Sequence, residues 1–353
     1  MAQTRHYNSF DFIRFFLASA VLVSHHYSLS GFPAPDVPLV NASVGRVAVF
    51  AFFAVSGFLM YNSLVRSQDF FFYFTSRTLR IVPNLFVAVA TTSLALMVIF
   101  NNYENLDSHL YYIRKDAFSF IAPPYYWIEG LFTDRPDRGV NGSLWTLQYE
   151  FFMYIVIFGL FLLPKRLFAA ALIGILAIAS LPFFQTMDRA YRIATFHLHV
   201  GFLAQTGFHF LAGALIACYW ERITSHKLIA SVGSIVAIAL LAVFAPGIKS
   251  AILFFAWIPF FILCLSPLAS GFSKYGDASY GVYIYAFPIQ QAAIVLIPDF
   301  WLSMTVSFIL TTIIGYACWH GFEKRCLSQR KKVAASLSEA CQKLTTALRA
   351  KVN

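Results

Sequence analysis

Apolar runs of about 20 residues recur along almost the whole of this chain, and a run of that length crosses a hydrocarbon core of about 30 Å as a helix. Windows of about 19 residues place spans near 8–30, 44–64, 80–101, 143–163, 166–185, 198–219, 227–245, 250–266, 279–297 and 302–320. Length alone, 353 residues, would suggest two soluble domains, but the repeated spans argue for one bundle. The expected fold is all-α: a polytopic membrane bundle of about ten transmembrane helices over residues 1–320, followed by a basic cytoplasmic tail, 321–353. Composition agrees, with 59% hydrophobic and 12% charged residues against soluble averages of about 45–50% and about 25%.

Charge sets the orientation. Eight of the 26 lysines and arginines follow Gly321, and the loops expected on the same side carry Arg66, Arg77, Arg80, Lys165, Arg166, Arg222, Lys227 and Lys274. The opposite loops hold chiefly Arg189, Arg192 and Lys249, so an excess of cations inside places both termini in the cytoplasm. The tail repeats apolar residues at Val333, Leu337, Cys341, Leu344 and Leu348, the pattern of a helix lying on anionic lipid. The net charge of +10 comes without a basic groove or base-stacking module, so no nucleic-acid partner is expected. The five cysteines lack paired spacing, and His197 and His199 are two apart, so neither a disulfide framework nor a metal site is expected. Arg14 and His25 interrupt the first apolar run and no A-x-A-like site follows it, which reads as a retained helix and not a cleaved signal.

The segment 102–142 differs from the rest, with Glu104, Asp107, Arg114, Lys115, Asp134, Arg135, Asp137 and Arg138 beside Pro123-Pro124. It is an external loop, either a cap that shapes a pocket or a plain connector.

Ionisable groups inside spans cost about 2.5–3.5 kcal/mol each on insertion scales, so each one calls for a partner or a purpose. Asp11 and Arg14 share a helix face. His25, eleven residues beyond Arg14, returns to within about 20° of the same direction some 16 Å farther along the axis, while His26 turns away. In the fourth span Ser143, Thr146 and Glu150 form a polar stripe, with Glu150 at a depth matching His25. A histidine and a carboxylate so placed suit a general base and its orienting partner; Glu150 is equally suited to a structural pairing with Arg14 or Arg46. Arg77 and Arg80 put two guanidinium forks on one face at the cytoplasmic boundary, fit for a phosphate-bearing ligand or simply a cationic flank. Tyr280, Tyr283 and Tyr285 look first like an interfacial aromatic belt.

Five motifs in order then carry a resemblance: Asp11-Phe-Ile-Arg14 with His25, Phe52 to Leu59 (FFAVSGFL), Arg77-x-x-Arg80, Ser143 to Glu150 (SLWTLQYE) and Ser279 to Pro288 (SYGVYIYAFP). The chain resembles the acyltransferase-3 family of integral membrane O-acyltransferases. That resemblance implies transfer of an acyl group, usually acetyl, from cytoplasmic acyl-CoA to a hydroxyl of a surface or exported polysaccharide or its lipid-linked precursor, in the inner (plasma) membrane. His25 would be the catalytic histidine, acting as general base or as transient acyl carrier, with Arg14 and Glu150 beside it. Arg77 and Arg80, together with Tyr283, would serve the coenzyme A donor; no metal is implied. Two departures stand out: Ala286 occupies a position where many members have histidine, and no hydrolase-like domain follows the last span, so transfer would be completed by the membrane domain or a separate partner. A proton-coupled transporter using the buried Arg, His and Glu is the rival reading, and a scaffold for polysaccharide assembly a third.

Overall fold

The structure is a computed structural model that describes residues 9–67, 69–185, 191–193, 197–245, 247–264 and 272–352. Arg189 lies outside the described residues. Helices dominate: α1 (Ser9–Leu29), α2 (Val44–Ser67), α3 (Phe70–Ile99), α4 (Leu106–Asp116), α5 (Trp145–Phe161), α6 (Lys165–Ala179), α7 (Pro182–Gln185) and α8 (Val200–Cys218). They continue as α9 (Trp220–Ser225), α10 (Lys227–Phe244), α11 (Lys249–Cys264), α12 (Ser279–Leu296), α13 (Phe300–Cys318), α14 (Lys324–Ser328) and α15 (Arg330–Val352). Among the described residues, extended structure amounts to two small antiparallel ladders, β1 (Asp36–Val37) with β2 (Ala42–Ser43) and β3 (Arg192–Ile193) with β4 (Leu198–His199).

This is the architecture a low-dielectric solvent demands, since a helix satisfies its own backbone polar groups. Among the described residues, seven helices are long and apolar enough to cross a membrane: α1, α2, α3, α5 with its first turn, α8, α10 and the long helix that starts at Phe300. The other three expected spans fall on α6, α11 and α12, which are not among these seven; α6 and α11 have 15 and 16 residues, and the span expected at 166–185 is divided between α6 and α7.

Small residues bring α2 and α8 into contact. A methyl group added at Gly57 would collide with the Phe210 carbonyl oxygen, and one at Gly213 with the Ala54 carbonyl oxygen, so the two backbones touch reciprocally. Close approach of this kind is how helices associate where apolar burial gives little advantage over lipid. Polar side chains add to it: Gln290 on α12 donates to the Leu22 carbonyl on α1 (2.8 Å), and Asn141, ahead of α5, donates to the Ile284 carbonyl on α12 (2.7 Å).

The structure adds to three expectations. α3 begins at Phe70, ten residues before the expected boundary, because Asp69 caps it by accepting from the Phe72 N–H (3.0 Å). Arg77 and Arg80 therefore sit inside a helix, where they were expected at its cytoplasmic edge. The segment 102–142 is an ordered cap and not a plain connector. Its α4 is fastened to α3 by Ser93 and His109 Nδ1 (2.9 Å), and Gln291 on α12 donates to the Asp137 and Gly139 carbonyls (2.7 and 2.8 Å). Finally, the first turns of α15 dock on protein: Val333 and Leu337 face a groove floored by Phe70, Phe71 and Phe74 of α3, and Ala334 is buried. Leu344, further along, remains exposed.

Candidate active site

Two spaces penetrate the bundle. The narrower is lined by Arg14, Ser56, Thr146, Glu150, Tyr280 and Tyr283 and encloses ≈ 40 Å³, room for a few water molecules and far too little for a thioester arm. The wider, ≈ 610 Å³, lies under the cap and is bordered by His25, Arg46, Trp127, Trp145, Tyr149 and Arg192 among others. Val49 borders both, so the two spaces abut at α2.

At the narrow end α1 contributes Arg14, whose Nη1 lies 2.6 Å from Asp277 Oδ2. Arg80 reaches the same oxygen with Nη2 (2.5 Å) and places Nη1 3.6 Å from Glu323 Oε2, a charge contact longer than a hydrogen bond. Ser279 donates through Oγ to Asp277 Oδ1 (2.5 Å), and Asn84 donates to Glu323 Oε1 (2.6 Å). The Arg80 guanidinium also lies over Trp319, 5.3 Å from the ring centroid. That ring packs against Gly276, where it leaves no room for a side chain, and the φ of +91° there also favours glycine. A π-helical turn at Trp319–Glu323 shifts the helix register here and turns Glu323 inward.

This cluster corrects the site expected from sequence in several ways. Arg14 pairs with Asp277, and neither it nor Arg46 pairs with Glu150. Arg80 is already engaged by two carboxylates, Asp277 and Glu323. Arg77 stands apart, its Nε buried and bonded to no described residue. Asp277 and Glu323 were not singled out from the sequence, because their partners lie roughly 200 or more residues away and no local pattern signals them.

Glu150 accepts from Ser56 Oγ (2.9 Å) and from Tyr154 Oη (2.5 Å). It borders the narrow space while His25 borders the wide one, and no hydrogen bond joins the two. The matched depth is therefore not matched by facing. The three tyrosines of α12 also turn inward, away from any interfacial belt: Tyr280 donates to the Ile81 carbonyl (3.0 Å), Tyr283 meets Thr146 Oγ1 (2.7 Å) and Tyr285 meets Thr91 Oγ1 (3.2 Å).

At the wide end the two adjacent histidines differ as helix geometry requires. His26 is fully buried, its Nε2 3.2 Å from both the Phe300 carbonyl and Ser303 Oγ. His25 is half-buried, faces the cavity and has no hydrogen-bond partner among the described residues. Its ring rests edge-on against Phe287, with centroids 5.2 Å apart. Phe287 in turn lies over Gly142, where a methyl group would approach the ring to 2.6 Å. The SLWTLQYE and SYGVYIYAFP motifs thus meet behind the histidine. Trp127 and Tyr126 of the cap complete the wall above it. His197 and His199 also line this space.

An acyltransferase domain is matched over residues 7–320, nearly the whole bundle. The chain is 31% identical to an O-acetyl transferase of Shigella phage Sf6 over 331 residues, 91% of this chain and 96% of that protein. It is 30% identical to nodulation protein 10 of Rhizobium leguminosarum bv. viciae over 234 residues, 62% of each chain. No solved structure matches. With four of its five motifs lining two abutting cavities and the family's domain spanning the bundle, the chain belongs to the acyltransferase-3 family and is an acyltransferase.

Proposed function

We propose that the protein is a multi-pass inner-membrane O-acetyltransferase with ten spans and cytoplasmic termini, taking acetyl from acetyl-CoA and passing it to a hydroxyl of an exported or surface polysaccharide or its lipid-linked precursor. The observation that carries this reading is His25: an imidazole with no hydrogen-bond partner among the described residues, at the floor of a cavity large enough for sugar residues. The similarity to an O-acetyl transferase supports acetyl as the group moved.

In this reading His25 accepts the proton of the acceptor hydroxyl as its oxygen attacks the thioester carbonyl. The coenzyme A thiolate leaves, and the proton passes from the imidazole to the departing sulfur or to water. The donor approaches from the arginine end. Arg77, which has an unsatisfied buried Nε, is the better placed of the pair for a donor phosphate, since Arg80 is held by Asp277 and Glu323. Arg14 positions Asp277. Tyr283 and Glu150 wall the narrow space through which the thioester arm must pass, and their side chains move aside to admit it. The rival transporter reading has no observation in its favour.

The test is His25→Ala in membranes supplied with labelled acetyl-CoA and host glycan. Transfer should fall by about 10²–10⁴-fold at unchanged membrane abundance. Full retention of glycan acetylation would sink the proposal.

A further inference from the structure

The wide cavity is built for charge of one sign. Arg46, in the first turn of α2, and Arg192, on β3, both border it; both are exposed to it, and neither forms an ion pair with a described acid. Arg192 is held in place by the ladder that pairs it with His199, directly before α8. Among the described residues, no aspartate or glutamate lines the space. The carboxylate that interacts electrostatically with His25, Asp137, is outside the lining and accepts the Gly139 N–H (2.8 Å). The same lining includes Trp127, Trp145 and Tyr149. Trp145 packs on Phe202 (5.1 Å between centroids), and Tyr149 Oη accepts the His199 N–H (3.0 Å).

Rigid aromatic faces offer a platform for the C–H faces of sugar rings, and unpaired guanidinium groups offer bidentate hydrogen bonds to carboxylate or phosphate. A cavity with both, and with no acid among its described lining residues, attracts anions and offers them two forks. Resting on the proposed glycan acceptor, we infer that the acceptor is anionic: a glycan segment whose carboxylate or phosphate is gripped by Arg46 and Arg192 while a neighbouring sugar ring lies on the aromatic wall beneath the cap. The arginines then set which sugar of the chain presents its hydroxyl to His25.

Binding can be read without turnover. Purified protein in uncharged detergent is titrated with three fluorescently tagged tetrasaccharides of equal length: a hexuronic acid, its carboxyl-reduced neutral counterpart, and the neutral chain with one terminal phosphate. The expected result is that at least one anionic chain binds roughly tenfold or more tighter than the neutral chain, with affinity that falls as salt rises. Preference for the uronate assigns the anion to the glycan itself, and preference for the phosphate assigns it to a linkage or carrier. Arg46→Gln with Arg192→Gln should remove the preference, and Arg46→Lys with Arg192→Lys should restore part of it, with melting temperature unchanged in all four single exchanges. Equal binding of neutral and anionic chains, or a preference that survives the double glutamine variant, overturns the inference. Because no acetyl-CoA is present, failure of the transferase reading appears separately, as absent acetylation of every chain when donor is added.

Discussion

The two ends of the cavity system treat cations in opposite ways. At the narrow end Arg14 and Arg80 converge on one buried carboxylate, with a second carboxylate and an aromatic ring behind them, and the space left is a few waters wide. At the wide end Arg46 and Arg192 face some fifteenfold more volume and, among the described residues, no lining carboxylate. The first arrangement holds helices together; the second waits for something from outside. Arginine content alone does not separate structural from recognition charge, whereas the presence or absence of a buried acid does.

The sharpest way to break this contrast is to remove the shared acid. Asp277→Ala leaves two buried guanidinium groups facing each other, and loss of one partner from a buried ion pair costs about 3–5 kcal/mol. A large fall in melting temperature in detergent is expected, together with loss of transfer. Arg46→Gln, at the other end, should leave the melting temperature within error, because no ion pair is lost. Equal effects of the two changes would show that the ends are not different in kind.

A smaller effect separates backbone contact from charge. Gly57 sits beside Ser56, which donates to Glu150, and its α-carbon is packed on the α8 backbone. Gly57→Ala forces α2 from α8 and should destabilise by about 1–3 kcal/mol, the usual range for overpacking. Gly233→Ala on α10 is the control, with nothing within 4 Å of the added methyl. If Gly57→Ala melts like the control, the close α2–α8 crossing is wrong.

The helices were legible because a long apolar run reports itself locally. Position along a helix was legible too: Arg14 and His25 lie toward opposite ends of α1, and His26 turns away to Phe300. Azimuth between helices was not. Matched depth suggested a His25–Glu150 pair, yet rotation about the α5 axis points Glu150 at Ser56 and Tyr154. Nothing in the stripe Ser143, Thr146 and Glu150 records which neighbour it faces. Asp277 escaped notice for the same reason, lying in the turn before α12 while both its arginines are on α1 and α3. The inward tyrosines of α12 resemble a belt in sequence because spacing shows periodicity without showing which side is lipid.

The least of these effects concerns the cap, and it sets a neutral acid against the ionised ones of the narrow end. Asp116, at the end of α4, is fully buried; its Oδ1 accepts the Tyr125 N–H (2.9 Å), and its Oδ2 meets no described partner. Burial outweighs that N–H and raises the carboxyl to about 7. An unfolded chain releases this proton near pH 4, whereas the folded cap keeps it until about 7, so opening the cap releases a proton and rising pH favours opening. The contribution is fully present below pH 4, shrinks between 4 and 7, and is gone above. Melting curves between pH 5 and 8 should therefore show a decline with pH in the wild type that Asp116→Asn flattens. The difference amounts to roughly 2–4 °C if about 1 kcal/mol of the penalty reaches the global transition. Parallel slopes in the two proteins would place an ionised Asp116 in the cap and remove the distinction between a cap closed by a neutral carboxyl and a core closed by ion pairs.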